Sequence, residues 1–200
     1  MAVNLQKGQK IDLTKGNPGL KHVMVGLGWD EAPKRGGLLS ALFGGGNQNI
    51  DCDASAILLD AGGKLADNKD VVYFGNLVHS TKTVKHMGDN LTGEGEGDDE
   101  QIFVDLAGIP QNYSKIVFVV NIYEANVRNQ TFGMIKNAFI RLVDSDKKTE
   151  ICRYDLSENY DGMTAMIFGE MYRHDGEWKF SAIGQGTHDD SIKELAQRYR

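Results

Sequence analysis

Short runs rich in Val, Ile, Phe and Tyr recur along this chain. Gly, Asp and Asn separate them, and that pattern leaves room for little besides β-strands. The runs fall at 22–29, 53–60, 71–75, 84–87, 101–106, 115–124, 138–143, 150–155, 165–172 and 178–183. The longest of them, 115–124, carries Ile116-Val117-Phe118-Val119-Val120 and reads as buried on both faces. Asp175-Gly176, between His174 and Glu177, is a two-residue hairpin turn. One helix closes the pattern: Thr187 is its expected cap, with Asp190 three residues on, and Ile192, Leu195, Ala196 and Tyr199 form its apolar stripe. A shorter helical turn is expected near 111–113 or 132–136. About ten strands with so little helix predict a mainly β chain, a two-sheet β-sandwich with a few short helices and a C-terminal helix. At 200 residues this is one domain, 1–200, large enough to bury a core without disulfides.

One segment breaks the rhythm. Residues 31–49, EAPKRGGLLSALFGGGNQN, are Gly-rich and hold a small apolar patch at Leu38, Leu39, Leu42 and Phe43. A connection this long is usually functional or mobile, and it reads as a mobile insertion.

The charge is as uneven as the loops. The chain has 28 acids and 22 bases, a net charge of −6. Asp89, Glu94, Glu96, Asp98, Asp99 and Glu100 lie in one stretch, DNLTGEGEGDDE; without them the chain balances at 22 against 22. A local excess calls for a local counter-charge. The stretch starts with Asp and ends with Glu, but it is not an EF-hand loop, because Leu91, Gly93 and Glu94 occupy positions that need ligands or glycine. Its donors are still hard oxygens, with no imidazole or thiolate among them, and this favours calcium or magnesium over zinc or copper. Gly93, Gly95 and Gly97 let the backbone aim carbonyls at an ion, and so flexible an acidic loop favours calcium. The bland alternative is a solvated acidic turn.

A second cluster weighs against that alternative. Asp51 and Asp53 alternate with Cys52, so both carboxylates share one face of a strand and repel unless something neutralises them. Asp30 also lies at a strand end. If these ends gather, Asp30, Asp51, Asp53 and the 89–100 loop form one acidic basin.

Other chemistries find little support. The five histidines show no metal-ligand spacing. Gly26-Leu27-Gly28 lacks the third glycine and the following helix of a dinucleotide site. Arg128-Asn129-Gln130-Thr131-Phe132-Gly133 reads as a turn. Cys52 and Cys152 stand a hundred residues apart; Cys52 is expected to face the core and be inert, and the pair fits a reducing compartment. The N-terminal residues carry no leader pattern and no run is long enough to span a bilayer, so the chain is expected in the cytoplasm. An acidic chain without a basic stripe is no nucleic-acid binder.

Taken together, Trp29-Asp30, Asp51-x-Asp53-Ala54-Ser55-Ala56 and Gly88-Asp89-Asn90-Leu91-Thr92-Gly93-Glu94-Gly95-Glu96-Gly97-Asp98-Asp99-Glu100 resemble the signature of the TerD family of tellurium-resistance and stress proteins. The resemblance continues through Tyr123-Glu124-Ala125, Arg128-x-Gln130-Thr131-Phe132-Gly133, Ala138-Phe139-Ile140-Arg141-Leu142, Arg153-Tyr154-Asp155-Leu156, Gly169-Glu170-Met171-Tyr172-Arg173 and Gly176-Glu177-Trp178-Lys179-Phe180. It implies a bacterial, cytoplasmic β-sandwich that binds calcium, more than one ion, through Asp30, Asp51, Asp53, Asp89, Asn90, Asp98, Asp99 and Glu100. Backbone oxygens of Gly93, Gly95 or Gly97 would complete the shell. It further implies a role in resistance to tellurite, bacteriophage and colicins and in general stress. The implied partners are other Ter-type proteins, including a membrane-bound complex with a TerC-like protein at the inner face of the membrane. No catalytic activity and no small-molecule substrate are implied. Residues 31–49 depart from the family's pattern, being longer than the polar linker expected there.

The leading expectation is thus a non-enzymatic calcium-binding stress module whose acidic pole is ordered by calcium and contacts a partner. An alternative is a calcium-dependent binder of anionic membrane surfaces, with Leu38–Phe43 inserting. A third reading, a metal-assisted hydrolase, has carboxylates but no base, nucleophile or arginine clamp beside them.

Overall fold

The computed structural model describes residues 2–31, 50–89 and 97–200. Glu31, the first residue of the expected insertion, ends a strand; the rest of it, 32–49, with the apolar patch, lies outside the described residues, as do Asn90, Gly93 and Gly95. The strands are β1 (Val3–Leu5), β2 (Lys10–Asp12), β3 (His22–Glu31), β4 (Cys52–Leu59), β5 (Val71–Val72), β6 (Val84–Asp89), β7 (Glu100–Asp105), β8 (Lys115–Ile122), β9 (Ile135–Asp144), β10 (Thr149–Asp155), β11 (Ala165–His174) and β12 (Glu177–Thr187). Two short helices join them, α1 (Ala125–Arg128) and α2 (Ile192–Gln197).

The strands form two six-stranded sheets. The first runs β1-β10-β9-β3-β7-β6, the second β2-β12-β11-β8-β4-β5. All pairings are antiparallel except that of β1 with β10. Period-two alternation sends Val23, Val25 and Leu27 of β3 inward, against Ala54, Ala56 and Leu58 of β4 and Ile116, Phe118 and Val120 of β8. The other face of the second sheet is also apolar: Ile57, Leu59, Val117, Val119, Ala165 and Ile167 pack under Leu195 and Ala196 of α2. That second layer is why Ile116–Val120 is continuously hydrophobic.

Several details differ from the sequence reading. The short edge strands β1 and β2 have three residues each and no alternation long enough to read. Thr187 is the last residue of β12, and the helix cap is Ser191, whose side chain accepts the Glu194 N–H. Of the two expected helical turns, the one at Phe132–Met134 is a 3-10 helix. Asp175 and Gly176 both have positive φ, +53° and +80°, as the twist of a two-residue hairpin demands.

Candidate metal centre

The candidate acids come from four strand ends, those of β3, β4, β6 and β7, and the two sheets divide them. Asp98 folds back over the outward face of the first sheet. A β-carbon at Gly26 would collide with its carboxyl group, so the glycine clears the surface for it. Arg141 of β9, opposite Gly26, grips that carboxylate with two bonds, Nε to Oδ1 at 2.6 Å and Nη2 to Oδ2 at 3.1 Å. Gln101 donates a third at 2.9 Å. The Asp98 side chain is 1% exposed. The hydrogen bond and charge of Asp98 raise the Arg141 pKa further, against the lowering effect of burial. Asp98 is thus engaged by arginine on both oxygens.

Asp99 occupies the rim. Its N–H donates to the Leu27 carbonyl at 2.8 Å, and its Oδ2 accepts the Trp29 N–H at 2.7 Å. The ladder between β3 and β9 slips between Gly28 and Asp30, and this bulge frees the Trp29 N–H for the carboxylate. Burial raises the Asp99 pKa, and the charges of Asp30 and Asp98 raise it further, while the Trp29 hydrogen bond opposes them. Asp30 is exposed beside it, and its Oδ2 accepts from Asn137 Nδ2 at 2.7 Å. Asn137 has φ +52°, in the left-handed region.

Glu100 points the other way. It alternates with Ile102 and Val104 and enters the space between the sheets, 4% exposed. Its Oε2 accepts the Ala54 N–H of β4 and lies 3.5 Å from His86 Nε2. His86 Nε2 also reaches the Ala54 carbonyl at 3.2 Å, and the Gly88 N–H donates to Nδ1 at 3.1 Å. Burial lowers the His86 pKa, but the hydrogen bond and charge of Glu100 outweigh it and raise the pKa overall.

Asp51 and Asp53 belong to the second sheet. Cys52 faces the core, as alternation predicts, and Asp53 shares the outward face with Ile57 and Leu59. Asp51 is half exposed; Arg128 Nη1 lies 3.8 Å from its Oδ2, and the Tyr123 N–H donates to its carbonyl at 2.7 Å. The Arg128 guanidinium sits 4.9 Å from the centre of the Tyr123 ring. Burial pushes the Cys52 thiol well above its usual value; Asp53, Asp51, Glu100 and Asp99 add to this in that order. Asp53, Asp51, Glu100 and Asp99 thus all lie within electrostatic reach of the Cys52 thiol. Asp89 ends β6 opposite Glu100, and Gly97 precedes the rim.

Among the described residues, no three His, Cys, Asp or Glu side chains converge closely enough to hold a metal ion. The side chains at the pole are hard oxygen donors, and the charge of Asp30 is felt at Asp99. Any complete shell would draw further oxygens from 89–97 and from water. Reading the sequence missed Arg141, Asn137 and His86, which hold the acids in place. The signal for Arg141 was Gly26-Leu27-Gly28, whose bare surface makes room for Asp98 and Phe139. Two clefts, of about 130 and 270 Å³, are lined by none of the candidate acids.

A TerD domain model matches residues 1–199. The chain is 54% identical over 199 residues to "Stress response protein SCP2" of Bacillus subtilis (strain 168), covering 100% of both chains. It is 48% identical over 186 residues to "Tellurium resistance protein TerD" of Serratia marcescens, covering 93% of this chain and 91% of that one. A crystal structure of a protein of unknown function superposes with a TM-score of 0.68 at 26% identity, covering 91% of this chain and 99% of the other. A structure of a homologue of telluride resistance protein (TerD) from Streptomyces coelicolor A3(2) gives 0.65 at 20% identity, with the same coverage.

Proposed function

The chain belongs to the TerD family of tellurium-resistance and stress-response proteins, and on that premise we propose that it is a non-enzymatic, cytoplasmic calcium-binding module. Calcium orders its acidic pole, and that pole contacts a partner, another Ter-type protein or a membrane-bound complex with a TerC-like protein. The observation that carries this reading is the pair at the rim. Asp30 and Asp99 are held side by side by Asn137 and the Trp29 N–H, and burial plus mutual charge raise the Asp99 pKa. Fixed like charges of this kind favour a bound cation. Asp30, Asp51, Asp53 and Asp99 would hold it, with Asp89, Asn90 and the glycine carbonyls of 93, 95 and 97, while Glu100 is committed to Ala54 and His86 between the sheets. Bound calcium supplies charge neutralisation and cross-linking between the two sheets. Asp98 serves as a positioning residue, since Arg141 fills both its oxygens.

The test is cellular. In bacteria that depend on this chain for tellurite tolerance, Asp30→Asn/Asp99→Asn loses tolerance while a Cys52→Ser/Cys152→Ser chain keeps it. Tolerance that survives loss of both acids, with normal protein levels, contradicts the reading.

One observation favours a second reading, calcium-dependent binding to anionic membranes. Val127 is 77% exposed on α1, one residue from the Arg128 that approaches Asp51. An apolar tip beside an acidic pole suits an anionic surface bridged by calcium. Pelleting with phosphatidylserine vesicles in calcium, reduced by Val127→Asp, supports it; no pelleting in saturating calcium removes it.

A further inference from the structure

The two sheets differ on their outward faces. α2 lies over that of the second sheet, whereas the described residues form no such layer over that of the first. There an apolar row crosses five strands in register. Lys85 of β6 stands opposite Phe103 of β7, Phe103 opposite Met24 of β3, Met24 opposite Val143 of β9, and Val143 opposite Glu150 of β10. Their chain neighbours Val84, Val104, Val23, Val25 and Leu142 belong to the core, so alternation turns the whole row outward. Phe103, Met24 and Val143 are half-buried. Val78 pairs with Lys85 beyond the edge and is 45% exposed, and Met87, two residues along β6, is 56% exposed. A contiguous apolar stripe on an open sheet face marks an interaction surface.

The charged ends of the row select the partner. Lys85, at one end, holds its Nζ 5.8 Å from the centre of the Phe103 ring. Glu150, at the other, accepts Arg141 Nη1 on Oε2 at 3.3 Å, and a carboxylate can take a second cation on its other oxygen. β3 is the middle strand of the five, so Lys85 and Glu150 lie equally far from it, about 9.5 Å by strand spacing. Turning a second copy over about an axis along β3 reverses the row. Met24 then meets the partner's Met24, Phe103 meets the partner's Val143, and Lys85 meets the partner's Glu150. In the neighbouring row Gln101 meets the partner's Arg141, whose charge Asp98 already balances. An axis across the strands would instead set Lys85 on the partner's Lys85 and Glu150 on the partner's Glu150, which repel.

We propose that this face is an interface between two copies of the chain, related by a two-fold axis along β3. The stacked sheets then follow the aligned packing of a sandwich. β6 and β7 are six residues long, so five such strands make a footprint of roughly 24 Å by 20 Å. That is below the roughly 800 Å² per partner of a standard interface, so the association is reversible and depends on concentration. The contact needs no ion at the acidic pole.

Analytical ultracentrifugation of the full chain between about 1 µM and about 1 mM tests this, since small reversible contacts fall in that range of affinity. The wild type is expected to shift from monomer to dimer across it. Lys85→Glu and Glu150→Lys each place like charges at both ends of the reversed row, and each is expected to weaken self-association at least about tenfold. An equimolar mixture of the two variants is expected to dimerise as the wild type does, because each supplies the charge that the other lacks; this also shows that both are folded. A wild type that stays monomeric throughout overturns the proposal. A dimer that neither substitution weakens lies on another face and overturns it too. So does a mixture that associates no better than the variants alone.

Discussion

Asp98 shows how much a single contact decides at the residue scale. Its carboxylate is almost fully buried and paired bidentately with Arg141, itself partly exposed. Removing one partner of such a pair leaves the other uncompensated, so Asp98→Asn is expected to destabilise by roughly 2–3 kcal/mol, discounted for the exposed arginine. Urea unfolding measures it; a change within about 0.5 kcal/mol, the ordinary surface range, contradicts the assignment. Gly26→Ala meets the same carboxyl group and is expected to cost about 1–3 kcal/mol by overpacking. Asp99 behaves differently because its folded pKa is raised. The folded metal-free chain holds that proton more tightly than the unfolded chain. This contribution to stability is full below the ordinary carboxylate value and is lost as pH rises through the raised one. Calcium needs the ionised form, so binding at mildly acid pH releases a proton. Calorimetry in two buffers of different ionisation enthalpy detects the release, and Asp99→Asn abolishes it. Asp98 and Asp99 are adjacent in sequence and look alike there. Only the bulge at Trp29 and the bare surface of Gly26 separate a rim carboxylate from a buried ion pair, and neither is visible without the register of β3 against β7 and β9.

At the scale of elements, the long strands were legible because alternation or continuous β-branched runs mark them, and their ends shift by a residue or a few. The three-residue β1 and β2 were not, since each is recognised only by the strand it joins. The helix cap moved from Thr187 to Ser191 because β12 continues through Thr187 to pair with Ala165. A buried polar clamp also escaped the sequence. His79 Nε2 lies 3.1 Å from Asp70 Oδ1, Tyr113 OH donates to the same oxygen at 2.7 Å, and His79 Nδ1 reaches Thr81 Oγ1 at 2.7 Å. Burial first, then Asp70, pushes the Tyr113 phenol up to about 12. This network fastens the 3-10 turn before β5 to the hairpin entering β6. His79→Ala is expected to lower stability by about 2–4 kcal/mol, since it strands a buried carboxylate. A loss under about 1 kcal/mol would mean that water replaces the ring without penalty.

For the whole molecule, the sandwich keeps both thiols out of reach. Burial and neighbouring acids raise Cys52 well above its usual pKa, and burial with Glu150 pushes Cys152 up to about 12. A disulfide-exchange reagent is therefore expected to label neither thiol in the folded protein at neutral pH and both in denaturant; rapid labelling of the native protein contradicts this. The fold was legible as two apolar layers, because Ile116–Val120 serves both. Where each acid lies was not legible, because it depends on which sheet each strand joins. The proposal is that this pole binds calcium through the rim acids. Calorimetric titration of metal-stripped wild type with calcium, against millimolar magnesium, tests it most directly, alongside Asp99→Asn and Asp98→Asn. The predicted result is saturable binding that magnesium does not displace, lost in Asp99→Asn and weakened but retained in Asp98→Asn. At calcium a hundredfold above the dissociation constant, the wild type gains about 2.7 kcal/mol, roughly 5–10 °C in melting temperature. Absence of binding, or binding that Asp99→Asn leaves untouched, would contradict the claim.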